Sequence, residues 1–226
     1  MKTLWITRAQ PGAEETAARV RALGHEAIVA PLLRVRWLEG AALDLADVTA
    51  LAFTSANGVR AFAARSGERG PPVFTVGERT AAAALAAGFR AVQSADGDVD
   101  ALAALIIMRR PPGLVLHPGA VHLAKDLTGR LTGAGLKARA VAVYETVAQV
   151  VSEDVRARIS TLDAALVHSP KAARYLSEQL ARTPAPDLNI LCLSPQIAES
   201  LVGVAADQIL TAAFPTEEAL LSLLQV

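Results

Sequence analysis

Six short segments place hydroxyl, glycine, imidazole or basic groups where an apolar run gives way to a helix-forming one. They are Thr7-Arg8, Thr54-Ser55-Ala56-Asn57, Gly77-Glu78-Arg79-Thr80, His117-Pro118-Gly119, His168-Ser169-Pro170 and Ser194-Pro195. Taken singly, serine or asparagine ahead of a helix, or serine followed by proline, reads as ordinary N-capping. Taken together they suggest more, because ligands of open α/β sheets bind at the C-terminal ends of parallel strands. Helix N-termini there present unpaired N–H groups and a partial positive charge, worth about 0.3–1 kcal/mol each to a nearby anion. The chemistry this predicts is capture of a ligand with many carboxylates or phosphates, largely by backbone amides. Arg8 and Lys171 are the side chains placed to add charged contacts, with solvated surface charge as the plainer reading of both.

Tyr144 is the second group to weigh. It sits among alternating valines in VAVYETV. A half-buried strand accommodates tyrosine as a rim residue; the functional reading makes its hydroxyl a proton donor. Glu145 faces the other way on an extended strand. Other chemistries find no support. There is no GxGxxG after a strand, no GxxxxGK[ST], no HExxH and no GxSxG. The four histidines are His25, His117, His122 and His168, and none is spaced for a metal site. The single cysteine, Cys192, lies in the apolar run 190–193 and reads as a core residue.

The elements that must position these groups follow from hydropathy. Short apolar runs at 4–7, 26–30, 51–54, 73–76, 90–93, 114–117, 138–143, 164–168, 190–193 and 208–210 alternate with alanine-rich helical segments. That alternation predicts parallel sheets covered on both faces. Helical stripes run through Ala13, Ala17, Val20 and Leu23, through Leu123, Leu127 and Leu131, and through Ala172, Leu176 and Leu180. Gly24 and Gly135 are placed to close the long helical segments that follow Thr7-Arg8 and His117-Pro118-Gly119, as C-terminal residues in left-handed conformation.

The chain also repeats itself. The segment 4–35 has a partner at 114–147, and 51–64 has one at 165–178, with Leu4 matching Leu114, Ser55 matching Ser169, Val76 matching Leu193 and Leu102 matching Leu220. The order is A, B, A′, B′, two like units whose opposition would make a cleft. The long extended stretches 27–38 and 138–151 occupy matching places after A and A′. Either each leaves one domain and enters the other as a two-stranded connector, or two tandem domains join near Arg109-Arg110-Pro111-Pro112-Gly113; the residues allow both.

Composition bounds the rest. The 226 residues suffice for one large or two small domains, 52% are hydrophobic, and the formal net charge is zero. No bias toward nucleic acid or a membrane surface is present. The N-terminus lacks an apolar signal core, and no apolar stretch reaches the ~20 residues of a span, so the expectation is a cytoplasmic protein.

With these residues in place, the chain resembles the uroporphyrinogen-III synthase family. The likeness runs through ITRAQPGAEETAARVRALGHEAIVAPLLRV, FTSANGVRAF, VGERTAAAL, GLKARAVAVYETV and HSPKAARYL, in that order. The resemblance implies α/β architecture with two flavodoxin-like parallel-sheet domains joined by a two-stranded connector. Residues 1–35 and 147–226 would form one domain, 38–143 an inserted second, with connector strands at 31–38 and 141–148. It implies a lyase that takes hydroxymethylbilane, loses the terminal hydroxyl as water, inverts the last pyrrole ring and closes the macrocycle, without metal or other cofactor. The path would pass through an azafulvene cation and a spiro intermediate. The family tyrosine maps onto Tyr144 as the catalytic group. Ser55, Gly77, Thr80 and Ser169 match positions near the cleft, and the eight carboxylates of the substrate suit the helix starts. Where Gly77-x-x-Thr80-Ala81 keeps the family pattern, the partner loop reads Ser194-Pro195-Gln196-Ile197-Ala198, so any role there falls to Ser194 or backbone N–H groups. A monomer in transient contact with the preceding deaminase is the expected assembly. The rival is a cytoplasmic two-lobed protein that binds an anion without reaction; a relative with the fold but little activity is a third possibility.

Overall fold

A computed structural model describes residues 1–40, 43–201 and 203–225. The described strands of the first half are β1 (Thr3–Ile6), β2 (Glu26–Val29), β3 (Leu33–Trp37), β4 (Val48–Phe53), β5 (Val73–Thr75) and β6 (Val92–Ser94). Those of the second half are β7 (Leu114–Ala120), β8 (Lys137–Ala148), β9 (Ala164–Val167), β10 (Asn189–Cys192) and β11 (Ile209–Thr211). The helices are α1 (Gly12–Ala22), α2 (Ala56–Arg65), α3 (Glu78–Ala86), α4 (Val99–Arg109), α5 (Leu127–Gly133), α6 (Glu153–Arg158), α7 (Pro170–Arg182), α8 (Pro195–Glu199) and α9 (Glu217–Ser222).

Two compact units emerge: unit 1 comprises Met1–Arg34 with Val147–Val226, and unit 2 comprises Val35–Thr146. The chain thus leaves unit 1 within β3 and returns to it within β8. Pro31 separates β2 from β3, so the extended stretch 27–38 is two strands rather than one, as expected where proline removes a ladder donor.

Unit 1 is built on a sheet of order β11-β10-β9-β1-β2, parallel at every pairing. Side chains alternate across it with period two. Leu4, Ile6, Ala164, Leu166 and Leu191 face Ala13, Ala17 and Val20 of α1 and Leu220 and Leu221 of α9. Trp5, Ala165, Val167, Ile190 and Cys192 face Ala172, Ala173, Leu176 and Leu180 of α7. Burial pushes the Cys192 thiol up to about 12, which leaves it inert as a nucleophile.

Unit 2 is built on a sheet of order β3-β8-β7-β4-β5-β6, with β4 to β8 pairing in parallel. One face carries Ala50, Ala52, Phe74 and Val115 against Leu102 and Ile106 of α4 and Leu127 and Leu131 of α5. The other carries Leu51, Phe53, Val73 and Leu116 against Val59 and Phe62 of α2 and Phe89. Helices therefore cover both faces of each sheet, as the alternating pattern requires.

Gly24 and Gly135 take φ of +80° and +78° directly after the ends of α1 and α5, the left-handed turn expected of them. Two expectations fail around β7. His117-Pro118-Gly119 does not open a helix, because β7 runs on through Ala120. Pairing of β7 with β4 ends at Leu116, so Pro118 gives up no bond on that side, while register with β8 continues at Val141. The stripe expected to include Leu123 starts only at Leu127: Asp126 caps the helix there by accepting from Gly129 N, and Leu123 is exposed.

Candidate active site

Parallel strands send all their C-terminal ends the same way, so each sheet has one edge where the singled-out residues collect. In unit 1, β10, β9 and β1 are neighbours. Their following residues bring Ser194, Ser169 with Lys171, and Arg8 to one edge. In unit 2, β4 and β5 are neighbours, and their ends bring Ser55 and Gly77 with Thr80 to another.

The helix starts at these edges differ in a way that bears on ligand binding. Ser55 Oγ accepts from Asn57 N at 3.1 Å and Ser169 Oγ accepts from Ala172 N at 3.2 Å. Both hydroxyls are working caps, worth about 1 kcal/mol to their helices, and each O–H remains a donor. Ser194 makes no side-chain cap bond on α8. Gly77 caps α3 with extended backbone, and a Cβ built there meets nothing within 4 Å. Glycine at 77 is thus demanded by neither conformation nor packing, and its missing side chain leaves the start of α3 open. Thr80, in the first turn of α3, is buried.

Tyr144 lies in β8 of unit 2, 8% exposed, packed with Ala61 and Val143. Its register partner is Ala120, past a bulge and beyond the level where β4 ends its pairing with β7. The ring therefore sits toward the same C-terminal end of the sheet as Ser55 and Gly77. Glu145 turns to the other side and pairs with Arg36, whose Nε donates to it at 2.9 Å.

Two polar groupings at these edges were not anticipated. In unit 1 the Glu217 carboxylate gathers three donors. Thr16 Oγ1 donates to Oε1 at 2.5 Å, Arg8 Nη1 donates to Oε2 at 3.1 Å, and His168 Nε2 lies 3.1 Å from Oε2. Arg8 also reaches Thr16 Oγ1 at 3.2 Å, so it is an internally paired cation rather than a solvated one. Burial alone would raise the Glu217 carboxyl; the hydrogen bonds from His168 and Thr16 and the Arg8 charge outweigh it and hold the group down at about 2.

In unit 2 His117 is 1% exposed, with Nε2 3.2 Å from Thr54 Oγ1 and Nδ1 buried without a partner. Burial lowers its pKa to about 4 against a small opposing pull from Asp126, so it is neutral at neutral pH. The repeat accounts for both groupings. Thr7 matches His117, and Thr54 matches His168. Each unit combines halves of different copies, so each carries one threonine and one histidine at the ends of adjacent central strands. The clue to these pairs lay in the repeat offsets; the Glu217 contacts had none, since Arg8 and Glu217 stand 209 residues apart.

Among the described residues no group of three or more His, Cys, Asp or Glu is arranged to hold a metal ion, and no helix is long and apolar enough to cross a membrane.

Comparison with known proteins agrees with this architecture. A uroporphyrinogen-III synthetase from Helicobacter pylori superposes with a TM-score of 0.68 at 16% identity, covering 99% of this chain and 98% of that one. A mutant uroporphyrinogen III synthase from the extremely thermophilic bacterium Thermus thermophilus superposes with a TM-score of 0.52 at 14% identity, covering 99% and 97%. At such identities the likeness is one of fold. A search of the curated proteins finds no match. The family model described as uroporphyrinogen-III synthase HemD matches residues 14–222, spanning both units and the helix starts at Ser55, Gly77, Ser169 and Ser194. By that match the chain belongs to the uroporphyrinogen-III synthase family.

Proposed function

We propose that the chain converts hydroxymethylbilane into uroporphyrinogen III as a lyase. The observation that carries this is the family match over residues 14–222. In the reaction the C–O bond of the terminal hydroxymethyl group breaks and the oxygen leaves as water. The azafulvene cation is attacked by a carbon of the last ring, giving a spiro intermediate. The bond from that carbon to its original bridge then breaks, the bridge carbon bonds instead to the free α-carbon of the same ring, and the proton on that carbon is lost, so the ring is inverted as the macrocycle closes. No electron is gained or lost, and no cofactor or metal is assigned a step.

Tyr144 is assigned to the departing hydroxyl, which it protonates or orients. The remaining acceleration is assigned to holding a flexible linear substrate in a ring-closing shape. Carboxylates of the substrate are assigned to the helix starts of both units, at Ser55, Gly77, Thr80, Ser169, Lys171 and Ser194, and to Arg8. What supports this is the open start of α3 and the capping geometry of α2 and α7. Transient contact with the deaminase that releases hydroxymethylbilane belongs to the same proposal.

Purified protein added to freshly generated hydroxymethylbilane is expected to consume it well above the spontaneous rate. Consumption at the spontaneous rate, with the protein folded, would leave only binding. The Gly77 assignment has its own check. Gly77→Ala is expected to leave the melting temperature unchanged, since the methyl meets nothing within 4 Å. It is expected to raise KM about tenfold, the scale of one lost charge-assisted hydrogen bond. An unchanged KM would remove the start of α3 from substrate binding.

A further inference from the structure

Of the Glu217 grouping only Arg8 has a part in the scheme above, yet Glu217, Thr16 and His168 are each held in place around it. Glu217 lies in the first turn of α9, whose start is capped by Thr216. Its side chain is 14% exposed and that of Arg8 20%. Thr16 is fully buried. Arg8 passes close over the first turn of α1, where a Cβ at Gly12 would stand 2.7 Å from its Nε. A cation at a helix N-terminus is unfavourable against the dipole, so Arg8 stays there only with a carboxylate beside it. The His168 side chain is 7% exposed, with Nε2 on the same Glu217 Oε2 and Nδ1 buried without a partner. An ionised carboxylate only accepts, so the proton on His168 belongs on Nε2.

We propose that Glu217 is a positioning residue for the tetrapyrrole reaction, fixing the Arg8 guanidinium and the His168 imidazole at the C-terminal edge of the unit 1 sheet so that Arg8 meets a substrate carboxylate in one orientation. The proposal rests on the reading that this edge binds substrate carboxylates. Arg8 presents a planar fork to its ligand, and a fork is selective only when its plane is held. The Nη1 corner is committed to Glu217 and Thr16, which sets that plane. His168 holds Glu217 through the same Oε2 that Arg8 meets, and its tautomer follows from the pairing.

Three variants separate this from a purely structural role. Arg8→Ala is expected to raise KM for hydroxymethylbilane about tenfold. Glu217→Gln, close in shape and uncharged, is expected to raise KM by a similar factor while kcat stays within twofold. In the double variant the second substitution is expected to add less than twofold, since both act through one guanidinium. If Arg8→Ala leaves KM unchanged, the edge does not bind carboxylates through Arg8 and the underlying reading fails there. If Arg8→Ala raises KM but Glu217→Gln lowers only the melting temperature, the positioning role alone is overturned. A readout free of activity and of variants is available in the two-bond proton–nitrogen spectrum of histidine-labelled wild-type protein at pH 8. His168 is expected to show a protonated Nε2; a bare Nε2 with the proton on Nδ1 would overturn the pairing on which the proposal stands.

Discussion

Tyr144→Phe is expected to lower kcat about 100-fold and leave the fold intact. The substitution removes one oxygen and keeps the ring, and the residue clusters with Ala61 of α2 and Val143 of β8. Stability therefore changes little. On the role proposed for Tyr144, the chemistry loses its proton donor at the step where hydroxide, a poor leaving group, must depart as water. A positioned general acid contributes about 10²–10⁴-fold. The lower end applies here because the azafulvene cation is stabilised by the pyrrole nitrogen and forms with modest help. The measurement is kcat on freshly generated hydroxymethylbilane, with circular dichroism to verify folding. A loss below threefold would remove Tyr144 from the mechanism.

Acid destabilisation through His117 is the second large effect. Its pKa is about 4 in the folded protein against an ordinary 6.5, because burial disfavours the charged ring. Between those values the unfolded chain holds a proton that the folded chain lacks, so stability falls as pH drops from 6.5 to 4 and is fully present above 6.5. A gap of that size corresponds to about 3 kcal/mol, a large share of a typical folding free energy. Glu217 adds a second window with the opposite chemistry. Its carboxyl is held down at about 2 against an ordinary 4.5, so its contribution is present above 4.5 and lost as pH falls toward 2. Urea midpoints of wild type are expected to decline from pH 6.5 downward. His117→Gln, which keeps a polar partner for Thr54 and cannot titrate, is expected to be nearly flat between 6.5 and 4.5. A parallel decline in both proteins would assign the acid sensitivity elsewhere.

Much of this architecture was readable from hydropathy because its signals are local. The apolar run 164–168 predicted a strand with two buried faces, and β9 places Ala165 and Val167 on one face and Ala164 and Leu166 on the other. Gly24 and Gly135 announced helix ends, and Ser55 and Ser169 announced helix starts, because caps are made within three residues. The errors came where a distant partner decides. Proline at 118 reads as a strand stop, yet β7 continues because β4 no longer pairs alongside it. Leu123 fits a helical stripe, but the Asp126 cap starts α5 after it. Glu217 was not singled out in the sequence; in the first turn of α9 it stands where an acidic residue is an ordinary dipole partner. Its ties to Arg8, Thr16 and His168 join opposite ends of the chain, and no periodicity or spacing rule reaches that far. The repeat was the one long-range signal available: its offsets make Thr7 equivalent to His117 and Thr54 to His168, and the exchange of halves then sets His117 beside Thr54 in unit 2.

The most direct measurement is product identity. The purified protein is incubated with freshly generated hydroxymethylbilane, the products are oxidised, and the porphyrin isomers are separated. Type III in clear excess over type I is the predicted result, since only catalysed closure inverts the last ring. Type I alone, from protein verified as folded, would contradict it.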